Sequence, residues 1–322
     1  MIRFATSLAA AVALAVPALA ETWDMPTPYS DKVFHTRNVM EFAKDVERLT
    51  GGKLKIKVHS AGSLYPHPEI KNAVRSRQVP IGEFFLSRLS NEDPAFGMDS
   101  LPFLATSYPE AEKLWAAQKP VVAELLEKQG LMPLYAVPWP PQGLYTKKPI
   151  HSVADLAGLR FRAYNAILED FAKRAGAQPV QVEAPDIPQA FSTGQVEAMI
   201  TSPSTGVSSK AWDFVEYYTP INAWIPKNIV VVNKRVFDGL DPATQKAILE
   251  AAAAAEKRGW EMSKAETAAK TKILAENGMK VTEPSAELMA GLKKIGADML
   301  EDWKANASPE AGAALEAYLA SK

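Results

Sequence analysis

One segment decides the fold: residues 156–203, with the sequence LAGLRFRAYNAILEDFAKRAGAQPVQVEAPDIPQAFSTGQVEAMITSP. Its pattern predicts a strand, a helix, a short strand, a second helix and a third strand. This alternation is typical of an α/β fold with a mostly parallel sheet. Arg162 ends the first strand, and a Thr-Ser-Pro turn at 201–203 follows the last. Ligands of open α/β sheets bind beyond the carboxyl ends of the strands, so Arg162 lies where a carboxylate would be held.

The N-terminus has the plan of a secretory signal peptide. Arg3 precedes an apolar run over 4–16, which Pro17 breaks, and Ala18-Leu19-Ala20 then provides a cleavage site. The run is shorter than the roughly 20 apolar residues that a membrane span needs, which disfavours a retained anchoring helix. We therefore expect export to the periplasm with cleavage before Glu21, so that residues 1–20 are the signal peptide.

The composition excludes several classes of protein. The 322 residues include no cysteine, which excludes disulfides, lipoprotein attachment, thiolate catalysis and cysteine-ligated metal sites. Lysine and arginine number 36 against 37 aspartate and glutamate, so the basic field that nucleic-acid binding needs is absent. No second apolar run reaches the length of a membrane span, and we expect a soluble mature chain that is not itself membrane-embedded. The mature length predicts two domains.

Strand and helix patterns continue outside the deciding segment. Strands are predicted at 21–25, 53–58, 79–85 and 228–233, and helices at 32–50 and 68–76. A long helix is predicted at 242–276, because Asp241 can cap its N-terminus and Pro242 suits its first position. At 1.5 Å per residue this helix would be about 50 Å long, enough to brace two domains.

Seven short motifs follow one another along the chain. They are Phe42-Ala43, Val46-Glu47, Thr50–Val58, Leu101–Leu104, Gly158–Arg162, Gly176–Pro179 and Gly194–Ala198. Their order and spacing resemble those of the substrate-binding proteins of TRAP (tripartite ATP-independent periplasmic) transporters, the C4-dicarboxylate-binding-protein-like solute receptors. The resemblance covers essentially the whole mature chain. It implies a two-lobed α/β clamshell with mixed, mostly parallel sheets flanked by helices, and a long helix bracing both lobes.

The resemblance also implies a division of the chain and a function. Lobe I would comprise residues 21–140 and 229–270, and lobe II residues 141–228 and 271–322. Members of the family capture an organic acid and hand it to a membrane permease driven by an ion gradient. The characteristic strand arginine of the family matches Arg162.

Arg162 is the predicted ionic anchor. Its guanidinium offers a planar fork of donors to both oxygens of a carboxylate and stays charged at any relevant pH. Arg160 shares its strand face by periodicity, and an exposed, salt-bridged arginine is the alternative interpretation; the resemblance favours Arg162. No second well-placed cation is evident, so we predict a monocarboxylate, with aromatic and 2-oxo acids as candidates. Departures from the common family pattern at Ala163 and 201–203 leave the ligand open.

Seven further residues are predicted to contribute to the ligand site. They are Tyr29, Glu83, Trp139, Tyr164, Asn165, Ser202 and Trp224. Aromatic rings can wall a site and stack on a flat ligand. Helix capping or turn formation explains Asn165 and Ser202 equally well. An internal salt bridge explains Glu83, and a plain turn explains Tyr29.

Two alternative functions stay open from the residues alone. The same fold could bind a cationic or zwitterionic amine through Glu83 and the tryptophans. The chain could also be an exported enzyme on a two-lobed scaffold. However, the four histidines lack the spacing of a zinc hydrolase, and the nucleophile elbow, phosphate loop and dinucleotide fingerprint are absent. We therefore predict a binding protein without catalytic residues, metal or cofactor.

Overall fold

The computed structural model describes residues 20–322, so all but the last residue of the predicted signal peptide lies outside the described residues. The strands are β1 Glu21–Pro26, β2 Leu54–His59, β3 Ile81–Phe85, β4 Leu131–Pro138, β5 Gly143–Thr146, β6 Arg160–Ala163, β7 Gln178–Gln181, β8 Ala198–Thr201, β9 Tyr217–Thr219, β10 Lys227–Asn233 and β11 Lys280–Val281. The α-helices are α1 Phe34–Leu49, α2 Ile70–Arg75, α3 Tyr108–Glu127, α4 Ala166–Arg174, α5 Ile187–Ser192, α6 Pro203–Ser208, α7 Lys234–Asp238, α8 Pro242–Glu276, α9 Ala286–Asn306 and α10 Pro309–Ala320.

Lobe I is built around strands β1 to β4 and β10. β1 pairs in parallel with β2, while β10 lies antiparallel between β3 and β4. Helix α1 packs against β2 because Val39, Phe42 and Val46 recur at helical spacing and form one apolar face. All three side chains are buried in the main core.

Lobe II holds a six-stranded sheet in the order β11-β9-β5-β8-β6-β7. β6 is parallel to both β7 and β8, which is the unit predicted from residues 156–203. β5 is antiparallel to β8 and β9. The sheets are thus mixed, but antiparallel pairing is more frequent than strand–helix alternation indicates, because β5 and β10 each follow an interlobe crossover and run against their neighbours.

Two crossover segments join the lobes side by side. Residues 139–142 connect β4 to β5, and residues 222–226 precede β10. The Trp139 backbone N–H donates to the Pro226 carbonyl at 2.8 Å, and the Gln142 N–H donates to the Trp224 carbonyl at 3.0 Å. These bonds hold together the two crossover segments, which a hinge motion would bend.

Helix α8 contacts both lobes, as the resemblance implies. It packs on α1 and β4 in lobe I and on α6 and β11 in lobe II. Glu266 of α8 accepts hydrogen bonds from Arg37 of α1 at 3.1 Å and from Ser204 of α6 at 2.8 Å. One carboxylate therefore links all three helices. No described helix, α8 included, has the length and apolarity to cross a bilayer.

The C-terminal helix α10 packs on lobe I. It contacts α3, and Leu315 and Tyr318 are buried in one cluster with Leu104 and Leu114. The Tyr318 hydroxyl donates to the Leu104 carbonyl at 2.8 Å. The division of the chain into sequence ranges stays a prediction, and α10 departs from it, because 271–322 was assigned to lobe II.

Candidate ligand-binding site

A cavity lies between the lobes. Four of the predicted site residues line it: Tyr29, Trp139, Arg162 and Tyr164. Several other lining residues were not predicted from the sequence, among them His67, Arg88, Gln142, Glu183, Thr201 and Thr205. The lining comes from both lobes and from the crossover at 139–142.

Arg162 is buried at the end of β6, with 3% of its surface exposed. Its Nε donates to the Val182 carbonyl at 3.0 Å, and its guanidinium carbon lies 4.9 Å from the centroid of the Tyr164 ring. Among residues 20–322 no carboxylate lies within 4.0 Å of this guanidinium. Burial lowers the pKa of Arg162 to about 10, which leaves it protonated at neutral pH. A buried cation without an internal counter-ion is suited to bind an anion.

Arg160, the other strand arginine, has different surroundings. Its side chain is 46% exposed and pairs with Glu197 at 3.2 Å. The surface salt bridge that we considered for a strand arginine therefore describes Arg160 and not Arg162. The two side chains differ in depth along β6, since only the carboxyl end of the strand faces the other lobe.

Tyr164 forms one wall of the cavity and is held from behind by Trp224. The Trp224 Nε1 donates to the Tyr164 hydroxyl at 3.1 Å, and that hydroxyl donates to Gln142 Oε1 at 3.3 Å. Trp224 itself is buried against Phe171 and is not among the lining residues. Burial raises the pKa of Tyr164 well above its ordinary value, so the ring stays a neutral phenol.

Tyr29 and Trp139 form the opposite wall. Their rings meet edge to face with centroids 4.9 Å apart. Both donate to Asn228 Oδ1, Trp139 at 2.9 Å and Tyr29 at 3.4 Å, and the Asn228 amide nitrogen donates to Glu83 Oε1 at 3.0 Å. Glu83 thus fixes the amide that orients both rings.

Glu83 lies behind this wall and does not line the cavity. Its other oxygen accepts from the Thr27 hydroxyl, and His35 Nδ1 lies 3.5 Å from its Oε1. Burial raises the pKa of the Glu83 carboxyl, but the nearby His35 and the hydrogen bonds from Thr27 and Asn228 more than offset this and lower it overall. The carboxylate is satisfied inside the protein, so the geometry gives no support to an amine site at Glu83.

Asn165 and Ser202 are helix caps, the alternative that the sequence left open. Asn165 Oδ1 accepts from the Leu168 N–H at 2.8 Å at the start of α4, and Ser202 Oγ accepts from the Thr205 N–H at 3.1 Å at the start of α6. Neither residue is among the cavity lining. The Asn165 amide nitrogen also donates across the cleft to Ser87 Oγ at 2.7 Å.

An interlobe ion pair is the feature that the sequence analysis missed. Arg88 of lobe I donates to Glu183 Oε1 of lobe II at 2.8 Å, and His67 Nδ1 lies 3.5 Å from Glu183 Oε2. Because His67 Nε2 accepts the Phe85 N–H at 3.0 Å, the imidazole proton belongs on Nδ1, facing Glu183. Burial raises the pKa of Glu183, but His67 and Arg88 together lower it to about 2.

One sequence signal could have found Glu183. It follows β7 by two residues, at the same carboxyl edge of the sheet as Arg162. Arg88 follows β3 by three residues, a weaker form of the same signal, whereas His67 lies eight residues beyond β2 and offers none. Within the described part of the chain, no group of three or more histidine, aspartate or glutamate side chains has the arrangement of a metal site.

Comparison with known proteins decides the family. The model of the bacterial extracellular solute-binding proteins, family 7, known as DctP, matches residues 29–306. The chain belongs to this family. The predicted membership among TRAP solute-binding proteins is confirmed, and so is the two-lobed α/β fold.

Three relatives show which family members this chain is similar to. The Bordetella pertussis solute receptor DctP7, whose crystal structure shows it binding pyroglutamic acid, is 47% identical, with a TM-score of 0.92 over 93% of this chain and 100% of that chain. A marine metagenome TRAP solute-binding protein, specific for pyroglutamate and crystallised with it, is 42% identical, with a TM-score of 0.92 over 94% of this chain and 99% of its own. The C4-dicarboxylate-binding periplasmic protein DctP of Rhodobacter capsulatus is 26% identical over 76% of this chain and 75% of its own.

Membership establishes the class of activity. The family 7 protein is an extracytoplasmic receptor for a small organic acid and works with a membrane permease of the TRAP type. The family consists of solute receptors.

Proposed function

We propose that this family 7 protein captures a small monocarboxylic acid of the pyroglutamate type by hinge closure and delivers it to an ion-gradient-driven permease. The observation that supports this most directly is Arg162, a buried guanidinium that faces an interlobe cavity and has no carboxylate partner in the described chain. Two relatives at 47% and 42% identity bind pyroglutamate. A single carboxylate is the ligand group that one such cation selects.

The cation and the aromatic rings that line the cavity have separate roles in this proposal. The terminal nitrogens of Arg162 bind both carboxylate oxygens, because its Nε is already held by the Val182 carbonyl. The rings of Tyr29, Trp139 and Tyr164 enclose the apolar body of the acid. Glu83, Asn165, Ser202 and Trp224 act indirectly, by fixing the rings and helix ends around the cavity.

Binding without catalysis is part of the proposal. A general base needs a free lone pair within reach of a substrate proton. The only histidine on the cavity wall among residues 20–322 is His67, and its unprotonated nitrogen already accepts the Phe85 N–H. Burial also lowers the pKa of His67, so it stays neutral at pH 7.

The proposed function also includes export of the protein to the periplasm. The charged, apolar and small-residue stretches of residues 1–20 support delivery to the periplasm by a cleavable signal peptide. Mass determination of the protein recovered from the periplasm should give a chain that begins at Glu21. A chain that keeps residues 1–20 would contradict the cleavage.

Titration calorimetry with pyroglutamate on the Arg162→Ala variant tests the function. We expect at least tenfold weaker binding, about 1.4 kcal/mol, because the carboxylate loses its only cation. Arg160→Ala is the matched control: it removes an arginine from the same strand, whose partner is Glu197 at the surface, and should bind like the wild type. Unchanged affinity in Arg162→Ala, or a rise in melting temperature with amines and not with acids, would contradict the proposal.

A further inference from the structure

Three charged side chains line the cavity in the described chain: Arg88, Arg162 and Glu183. Arg88 and Glu183 form a 2.8 Å ion pair, whereas Arg162 has no carboxylate of residues 20–322 within 4.0 Å. His67 is neutral, because burial lowers its pKa. The cavity therefore offers a ligand one uncompensated positive charge, although it contains two guanidinium groups.

We propose that Glu183 sets the charge selectivity of the site: it neutralises Arg88, so that monocarboxylates are admitted and dicarboxylates are rejected. This inference rests on the proposed function, because it takes the Arg162 subsite as given. It adds a residue that determines which acids that subsite accepts.

Glu183 is well placed for this role. Arg162 is anchored to the carbonyl of Val182, the residue before Glu183, so the ligand-binding cation and the neutralising anion lie on one short stretch of chain. A second ligand carboxylate would have to displace Glu183 from Arg88 or lie beside it. Two carboxylates sharing one buried cation repel each other, and such like-charge contacts disfavour binding in a desolvated site.

Glu183 also has little freedom to move aside. Arg88 of lobe I donates a hydrogen bond to one Glu183 oxygen, and His67 Nδ1 lies 3.5 Å from the other. Arg88 is fixed in turn by a second hydrogen bond to the Tyr164 carbonyl at 3.3 Å. The pair therefore acts as a fixed neutral unit in the cavity wall.

The substitution Glu183→Gln separates charge from shape. The glutamine oxygen can still accept a hydrogen bond from Arg88, while the negative charge is gone. The cavity of this variant would contain two uncompensated cations. We therefore expect it to bind a dicarboxylate, with Arg88 holding the second carboxylate bidentately.

The test is titration calorimetry with pyroglutamate and with glutarate, which has the same five-carbon skeleton but a second carboxylate in place of the lactam carbonyl. In Glu183→Gln we expect the ratio of the glutarate Kd to the pyroglutamate Kd to fall at least tenfold. The double variant Arg88→Gln, Glu183→Gln returns the cavity to one cation and should restore the original ratio. Glu197→Gln, at the surface beside Arg160, is the matched control and should leave the ratio unchanged.

Several outcomes would overturn the inference. They are an unchanged ratio in Glu183→Gln, loss of both ligands in that variant, or glutarate binding that persists in the double variant. Wild-type protein that binds pyroglutamate through Arg162 while Glu183→Gln gains no glutarate binding would reject this inference alone. Wild-type protein that binds no monocarboxylate would reject the proposed function and this inference together.

Discussion

Arg160 and Arg162 lie two residues apart on β6, and their contrast shows what decides a binding residue. Both are on the same strand face, yet Arg160 pairs at the surface with Glu197, while Arg162 is 3% exposed. Strand periodicity predicts the face but not the depth. The depth of each side chain depends on how far lobe I reaches over the end of β6.

Glu183 predicts a pH dependence of stability. Its pKa in the folded protein is about 2, below the ordinary 4.5. A lowered carboxyl pKa contributes stability that is present above the ordinary value and lost as pH falls through the folded value. In urea unfolding, the wild type should exceed Glu183→Gln by about 2 kcal/mol at pH 6, after allowance for partial solvent screening. This advantage should shrink as the pH falls from about 4.5 towards about 2.

The comparison with Glu183→Gln is needed because other carboxylates also titrate in this range. Their contribution is common to both proteins and cancels in the difference. A difference between the two free energies of unfolding that stays constant from pH 6 to pH 3 would contradict the lowered pKa.

At the scale of elements, the long helix α8 depends on a close approach at Gly259. A Cβ at this position would overlap the side chain of Val137 on β4 and lie 2.8 Å from Asn38 Nδ2 on α1. The helix can therefore pack against both elements only because residue 259 has no side chain. Sequence alone predicts the extent of α8 from Asp241 and Pro242, but nothing in it indicates this contact.

Gly259→Ala should lower the free energy of unfolding by about 1–3 kcal/mol, since overpacking forces neighbouring atoms to shift. Gly312→Ala in α10 is the control, because no atom lies within 4 Å of its added Cβ. There the better helix propensity of alanine should raise stability by about 0.5–1 kcal/mol. Urea unfolding of both variants measures the difference, and equal effects of the same sign would contradict the packing argument.

At the scale of the whole molecule, the described structure is a closed clamshell. Contacts that cross the cleft include the Arg88–Glu183 ion pair and the hydrogen bond from Asn165 to Ser87. The ring of Phe85 from lobe I also meets that of Tyr164 from lobe II, with centroids 5.4 Å apart. A ligand shifts the population towards this form only by its preference for it, so each such contact contributes to the measured affinity.

Asn165 allows its two roles to be separated. Asn165→Ser keeps an N-cap oxygen for α4 but is too short to reach Ser87, whereas Asn165→Ala removes both the cap and the interlobe bond. We expect both variants to bind pyroglutamate about two- to tenfold more weakly, as loss of one hydrogen bond in the closed form implies. In addition, the free energy of unfolding of Asn165→Ala should be about 1 kcal/mol lower than that of Asn165→Ser.

Ser87→Ala provides the matched control, since it removes the same interlobe bond and leaves the cap intact. It should weaken binding as much as Asn165→Ser does, in calorimetry at one pH. If Asn165→Ser and Ser87→Ala both bind as tightly as the wild type, the bond across the cleft does not contribute to closure.

The sequence by itself determined the local architecture. The unit β6-α4-β7-α5-β8 and the bounds of α8 follow from hydrophobic periodicity and from caps such as Asn165 and Asp241, which act within a few residues. The seven motifs determined the family, and the position of Arg162 at a strand end indicated an anionic ligand. These features are local, so the order of residues is enough to predict them.

Only the tertiary structure decided the composition of the cavity. It placed Glu83 behind the wall, left Asn165 and Ser202 outside the cavity lining, and brought Arg88 against Glu183, 95 residues away. Such pairings depend on which surfaces meet when two lobes close. Because that contact joins distant parts of the chain, periodicity and spacing do not encode it, and the charge balance of the cavity appears only once the lobes are together.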